Sequence, residues 1–268
     1  MTHTVRLVVM PEGVDVESGR LWATGPLGVE ERPTPDGRVA LLATFAESAS
    51  AIAALDSIAG LETVIPEAGR HGSERPYAPV SRVGPFVIAP PWESPDLAAA
   101  RYHLIIDPGE AFGHGAHPTT RLLLAAMVNL DLEGLRVADI GCDTGVLAIA
   151  AARLGAASVV AVDNDQAAVA VSRSNVEANR CDAIVNVALV DATSPIDAVD
   201  VAFVNVTIDV HEHIAASIDS SATTVVAGGV LHGQIDRLKS AYPGHVAASM
   251  TADGEWRAVV FEPRRSTS

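Results

Sequence analysis

The sequence predicts an α/β protein, a doubly wound sheet of seven strands with a small α+β domain before it. Three observations carry this. From Pro118 onward, short apolar runs alternate with helix-like segments across short loops, the pattern of a parallel sheet flanked by helices. The chain then closes on Asp253-Gly254 between two apolar runs, a strong hairpin signal, so the sheet is expected to end in an antiparallel hairpin. Earlier, between Glu67 and Pro95, glycine and proline recur often enough to break the composition, which reads as a linker. The predicted boundaries are 1–68 for the small domain, 69–100 for a Pro/Gly-rich linker and 101–268 for the large domain.

Each element follows from local pattern. In the small domain, Val5 to Met10 reads as a strand and Val16 to Ala23 as a short helix. Val39 to Phe45 is a second strand, behind the turn Pro35-Asp36-Gly37. Ser48 to Ala59 is a helix closed by Gly60, and Thr63 to Pro66 a short strand. The linker holds one strand, Pro85 to Ala89. Pro118-Thr119-Thr120 opens a helix that runs to about Val128; proline suits the first turn, where its missing N–H breaks no bond. Strand Arg136 to Ile140 leads into helix Gly145 to Leu154, and strand Ser158 to Val162 into helix Gln166 to Asn179. Further strands are expected at Ile184 to Val190, Ala198 to Val204 and Thr223 to Ala227, with helices at Asp209 to Ser217 and Gln234 to Ser240 after the last two. His245 to Met250 and Trp256 to Phe261 form the closing hairpin.

Composition excludes several classes. The formal net charge of −15 argues against direct nucleic-acid binding, which needs clustered Lys and Arg, and favours solubility and a basic or neutral partner. Lys239 is the single lysine, and the other basic residues are arginine. Two cysteines, Cys142 and Cys181, make neither a disulfide framework nor a four-cysteine zinc site. No apolar run suits a signal peptide or a membrane span. A cytoplasmic protein with no membrane association is expected.

The chemistry concentrates in Asp139-Ile140-Gly141-Cys142-Asp143-Thr144-Gly145-Val146, where a strand becomes a helix. Gly141 and Gly145 let the backbone turn tightly and approach a ligand, in front of free helix N–H groups. A dinucleotide fingerprint would need glycine where Asp143 and Val146 stand. Asp139 and Asp143 would repel a pyrophosphate. They would attract a ligand carrying an ammonium and a sulfonium, as S-adenosylmethionine does. Asp163 ends the next strand; an acid about 20 residues past such a turn binds ribose hydroxyls in nucleotide-binding sheets. Asp191 ends the third strand, where it could accept from an adenine amino group. A single Asp after a strand is commonplace, but three at successive strand ends beside a glycine turn form a pattern. No zinc spacing surrounds His114 and His117 or His211 and His213, so no metal is expected.

These residues resemble the class I methyltransferases, whose first motif is Asp-x-Gly-x-x-x-Gly. They resemble most the ribosomal protein L11 methyltransferase (PrmA) family. Leu104 to Thr120 is similar to that family's loop and helix start before the first motif. Leu154-Gly155-Ala156 and Asp163-Asn164-Asp165 stand at matching spacings, Pro90-Pro91-Trp92 resembles its Pro-x-Trp segment, and Glu255-Trp256 its last-hairpin Glu-Trp. The resemblance covers roughly residues 85–262 and is looser before them, around Gly28-Val29-Glu30-Glu31. It implies a class I methyltransferase sheet with an antiparallel last hairpin and S-adenosylmethionine as cofactor. It also implies a basic ribosomal protein as substrate and a substrate-recognition role for the small domain. It places Thr120, Gly141, Asp163 and Asn205 on the cofactor, with Asn205 also orienting the incoming amine. Asp209 and His211 are candidate bases just beyond it.

The chain departs from the family in three places. Asp143 replaces a glycine, Gly113-His114-Gly115-Ala116-His117 replaces Gly-Thr-Gly-Thr-His, and Val206-Thr207 replaces Ile-Leu. Other readings therefore stand beside ribosomal-protein methylation. One is methyl transfer to another protein's lysine or to a small amine. The other is a non-catalytic cofactor-binding module. Oligomeric state is left open.

Overall fold

The computed structural model describes residues 3–264 apart from 23, 27, 35, 46–47, 61, 65–77, 99, 110–114, 192–193 and 195–196. The chain divides into two compact units, residues 1–77 and 78–268.

The first unit runs β1 (His3–Val9), α1 (Val14–Trp22), β2 (Gly28–Pro33), β3 (Val39–Phe45), α2 (Ser48–Ser57) and β4 (Glu62–Val64). Its antiparallel sheet has the order β2-β3-β1-β4, the split β-α-β, ferredoxin-like arrangement. Alternation in β1 and β3 turns Val5, Leu7, Leu41, Ala43 and Phe45 to one core with Leu21 of α1 and Ala51 and Ala54 of α2. Sequence pattern missed β2. Its Glu-Glu-Arg-Pro run lacks apolar alternation because β2 is an edge strand, and charge and proline are what an edge tolerates.

The second unit begins with a three-stranded sheet, β5 (Ser81–Val83), β6 (Phe86–Ala89) and β7 (Tyr102–Ile105). Residues 78–100, read from sequence as linker, are therefore part of this unit, and all four side chains of β6 are buried. The rest of the expected linker, including Gly69, Gly72 and Pro76, lies outside the described residues.

Then come α3 (Pro118–Val128), β8 (Arg136–Ile140), α4 (Val146–Arg153), β9 (Ser158–Asp163), α5 (Gln166–Ala178), β10 (Val185–Leu189), β11 (Val199–Asn205), α6 (Ile208–Ser221), β12 (Ala222–Leu231), α7 (Ile235–Ala241), β13 (His245–Asp253) and β14 (Trp256–Pro263). The sheet order is β10-β9-β8-β11-β12-β14-β13. The first five strands are parallel, and β14 runs antiparallel to both neighbours. One face carries a core of Ala138, Ile140, Val204 and Val225 with Ile214 and Ile218 of α6 and Leu238 of α7. The other carries α3, α4 and α5. β12 runs four residues beyond its expected end, through Gly228 and Gly229, because a bulge between Ala227 and Val230 absorbs them.

Strand order reverses between β8 and β11, and a crevice at that switch point, outside the strand C-termini, is where such sheets bind ligands.

Candidate functional site

The glycine turn sits at the mouth of β8. Gly141 and Cys142 both donate their N–H to the Val162 carbonyl, at 2.9 and 3.0 Å, holding the turn against β9. Gly145 is the first residue of α4's cap, at φ 78°. A Cβ there would overlap Ser172 Oγ on α5, so the sequence needs glycine twice over, for conformation and for space. A glycine cap has no side chain to satisfy the helix N-terminus. Asp139 does it instead: its Oδ2 accepts the Ala148 N–H at 2.9 Å.

That arrangement leaves Asp139 in an unusual state. It is 1% exposed, and its Oδ1 is buried without a hydrogen-bond partner among the described residues. Burial pushes its pKa up to about 7, and the nearby Asp163 charge pushes the same way, against the Ala148 bond. Asp143 adopts φ 46°, a left-handed conformation costing an Asp about 1 kcal/mol. Its backbone N–H donates to Asp163 Oδ2 at 3.0 Å, while Asp163 Oδ1 accepts from the Asp165 N–H at 3.0 Å. The half-buried Asp143 carboxyl has its pKa raised well above the usual range by desolvation, then by Asp163, Asp139 and Asp165. Cys142 is buried between them, and its thiol pKa is raised, first by burial; it is a packed, unreactive side chain.

Asn205 ends β11 in the strand next to this turn, and its neighbour Val206 packs where a Gly141 Cβ would lie, 2.7 Å from Cγ1. Among the described residues, Asn205 Oδ1 is buried without a hydrogen-bond partner. Thr120, in the first turn of α3, is 1% exposed and its Oγ1 is in the same condition. It lies one turn before Leu123, whose side chain fills the space over Gly228, the ladder partner of Asn205. Thus Asp139, Gly141, Asp143, Gly145 and Asp163 form one cluster, with Asn205 on the adjoining strand end and Thr120 on the helix above the neighbouring strand. Asp191 follows Val190, whose N–H donates to the Asp163 carbonyl at 2.9 Å. It lies two residues beyond β10 and is exposed, its carbonyl accepting the Ser194 N–H at 2.8 Å.

The two candidate bases beyond Asn205 are engaged elsewhere. Asp209 faces solvent, paired with Arg237 at 2.7 Å. His211 is fully buried, with Nε2 2.8 Å from the Gly228 carbonyl and Nδ1 2.9 Å from Tyr242 Oη. A carbonyl only accepts, so Nε2 carries the proton and Nδ1 accepts from the tyrosine. Burial lowers the His211 pKa to about 4. An unfolded chain would take up this proton near pH 6.5, so His211 contributes stability in full above pH 6.5 and loses it as pH falls toward 4. The total is about 3 kcal/mol. His211→Gln removes the titration. The wild-type advantage in urea midpoint should therefore shrink steadily from pH 7 to pH 4, and a constant difference would refute this.

Three residues have structural roles that the sequence reading did not give them. His117 caps α3, its Nδ1 accepting the Thr119 N–H at 3.3 Å, with its ring centroid 5.2 Å from that of Trp256 in an edge-on arrangement. Asn175 on α5 and Asn179, the C-cap of that helix, are buried. Their signal was present as polar residues in the helix's apolar phase, beside Ala168, Val169, Ser172 and Val176. Of the altered loop, Gly113 and His114 lie outside the described residues.

A family model described as ribosomal protein L11 methyltransferase (PrmA) matches residues 51–264. The chain belongs to the PrmA family. Among PrmA relatives, a ribosomal protein L11 methyltransferase of Streptococcus equi subsp. zooepidemicus is 32% identical over 192 residues, 69% of this chain and 61% of that protein. One from Heliobacterium modesticaldum is 36% identical over 180 residues, 65% of this chain and 57% of that protein. The chain spans about three fifths of the length of these curated relatives. A solved structure of ribosomal protein L11 methylase from Lactobacillus delbrueckii subsp. bulgaricus superposes with a TM-score of 0.63 at 23% identity, covering 70% of this chain and all of that one. The PrmA chain therefore has the class I methyltransferase fold, a seven-stranded sheet with its antiparallel last hairpin.

Proposed function

We propose that this protein is an S-adenosylmethionine-dependent N-methyltransferase that methylates lysine or N-terminal amines of ribosomal protein L11. The observation that carries the proposal is the acceptor-rich turn. Among the described residues, Asp139 Oδ1, Asn205 Oδ1 and Thr120 Oγ1 are buried oxygens without hydrogen-bond partners, and the Asp143 N–H donates to Asp163 Oδ2 beside Asp139. Such a donor-poor set suits a ligand that brings its own positive charge, N–H and hydroxyl groups, and repels a pyrophosphate. Membership of the PrmA family supports the same ligand, and the names of the relatives support the substrate.

In this reading, S-adenosylmethionine supplies an activated methyl group as electrophile. The chain's residues supply alignment and dryness. Asp163 holds the ribose hydroxyls. Gly141 and Gly145 let the backbone approach, and Asp139 and Asp143 face the cationic end. Thr120 and Asp191 complete the cofactor contacts, and Asn205 orients a neutral amine through its free oxygen. Asp209 and His211 are left out as bases by their geometry, so the amine's proton leaves to solvent. The net charge of −15 favours encounter with a basic ribosomal protein, with no role for direct nucleic-acid contact, in the cytoplasm. The first unit would recognise that protein.

Intact-mass spectrometry of purified ribosomal protein L11, incubated with this protein and S-adenosylmethionine, should show steps of one methyl each. An unchanged mass with cofactor binding intact would redirect the search to another protein lysine, a small amine or a non-catalytic role. By calorimetry, Asp163→Ala should weaken S-adenosylmethionine binding by about 1–3 kcal/mol, the loss of charge-assisted bonds. An unchanged affinity would remove Asp163 from the ribose site.

A further inference from the structure

Helix α5 buries two polar side chains, Ser172 and Asn175, and its C-cap residue Asn179 is buried too; a buried polar group needs a reason. The two asparagines have an unusually complete one. Asn179 Oδ1 accepts the Ile105 N–H at 3.0 Å, and its Nδ2 donates to the Ile105 carbonyl at 2.6 Å. Asn175 repeats this two residues on, with Oδ1 accepting the Asp107 N–H at 2.9 Å and Nδ2 donating to the Asp107 carbonyl at 2.9 Å. Each amide supplies the acceptor and donor that a neighbouring strand would, to the last residue of β7 and the segment just beyond it. Asn179 spends its remaining N–H on its own helix, at the Asn175 carbonyl, 2.8 Å away. Asn175 spends its own on the Thr144 carbonyl at 2.9 Å, inside the glycine turn.

We infer that Asn175 is a positioning residue that joins the 105–109 segment to the Gly141–Gly145 turn, so that the two order and open together. A single planar amide holds both carbonyls, and neither can shift without breaking a buried bond. The same segment packs on α5 again at Gly109, where an added Cβ would come within 2.7 Å of Val171 Cγ2. For the ligand, the inference rests on the S-adenosylmethionine reading: filling the turn would also order residues 105–109.

Hydrogen exchange on the full chain tests it, with Asn175→Asp and Asn179→Asp. Either substitution keeps the accepting oxygen and sets a second oxygen against the carbonyls. In the ligand-free protein, N175D should speed exchange in both 105–109 and 141–146, and N179D in 105–109 alone. Faster exchange in only one segment of N175D overturns the inference. With saturating S-adenosylmethionine, the wild type should gain protection in both segments, whereas N175D should gain it in the turn alone and bind roughly tenfold more weakly, about one lost bond. Equal protection of both segments in N175D also overturns it, since a purely structural role would leave ligand-induced protection intact. If the wild type does not bind the cofactor, the cofactor reading fails and the ligand-free arm still decides the coupling. If N175D does not fold, wild-type exchange in low urea decides it: the two segments must open with the same free energy, and separate opening overturns the inference.

Discussion

Replacing Asp139 with Asn should make the ligand-free protein more stable above pH 7 while weakening S-adenosylmethionine binding by one to two orders of magnitude. The stability half follows from linkage. Burial raises the Asp139 pKa from 3.8 to about 7 in the folded protein. Its contribution is therefore most favourable below pH 3.8, where both states carry the proton, and is lost as pH rises through about 7. The full difference is up to about 4 kcal/mol. Asn carries no charge to desolvate, so the variant's advantage in urea midpoint should be large at pH 8 and small near pH 4. An advantage that does not vary with pH would refute the assignment. The binding half follows from counting acceptors. The carboxylate has one oxygen on the Ala148 N–H and one without a partner among the described residues. Asn has a single accepting oxygen, so cap and ligand cannot both be served. A loss of about 1.4–2.8 kcal/mol corresponds to ten- to hundredfold weaker binding. Stability held back at a binding site is a familiar trade.

Gly229→Ala should cost about 3–5 kcal/mol, at the extreme of single substitutions, and lower Tm by roughly 10 °C in a chain of this size. Gly229 lies at φ 76° in the bulge of β12. An alanine there pays the left-handed penalty, and its Cβ would also overlap the Val206 backbone, with the carbonyl carbon at 2.8 Å and the nitrogen at 2.9 Å. Backbone cannot rotate aside as a side chain can, so the ends of β11 and β12 would have to part, carrying Asn205 with them. The proposed methyl transfer would fall with stability. Gly233→Ala is the control: nothing lies within 4 Å of a Cβ there, and its Tm should stay within about 2 °C, as for a typical surface change. Equal effects at the two glycines would remove the bulge from the argument.

What the sequence determined by itself was whatever is written in local pattern. The runs Arg136–Ile140 and Val39–Phe45 stand as strands with the ends expected, and Pro118 opens α3 where proline is tolerated. The turn from Asp139 to Gly145 was legible because glycine and carboxylate types there have few other uses. The strands β2, β5 and β7 were not, since edge and very short strands carry no full alternation. Only the tertiary structure decided how single atoms are shared. It made Asp139 the cap of a helix whose own cap residue is glycine, withdrew His211 into a bond with Gly228, and set Asn175 between two carbonyls 37 residues apart in the chain, those of Asp107 and Thr144. The reason is physical. Periodicity reports which face of an element is buried, whereas the partner of a buried polar atom depends on which residues, distant in sequence, packing brings within 3 Å.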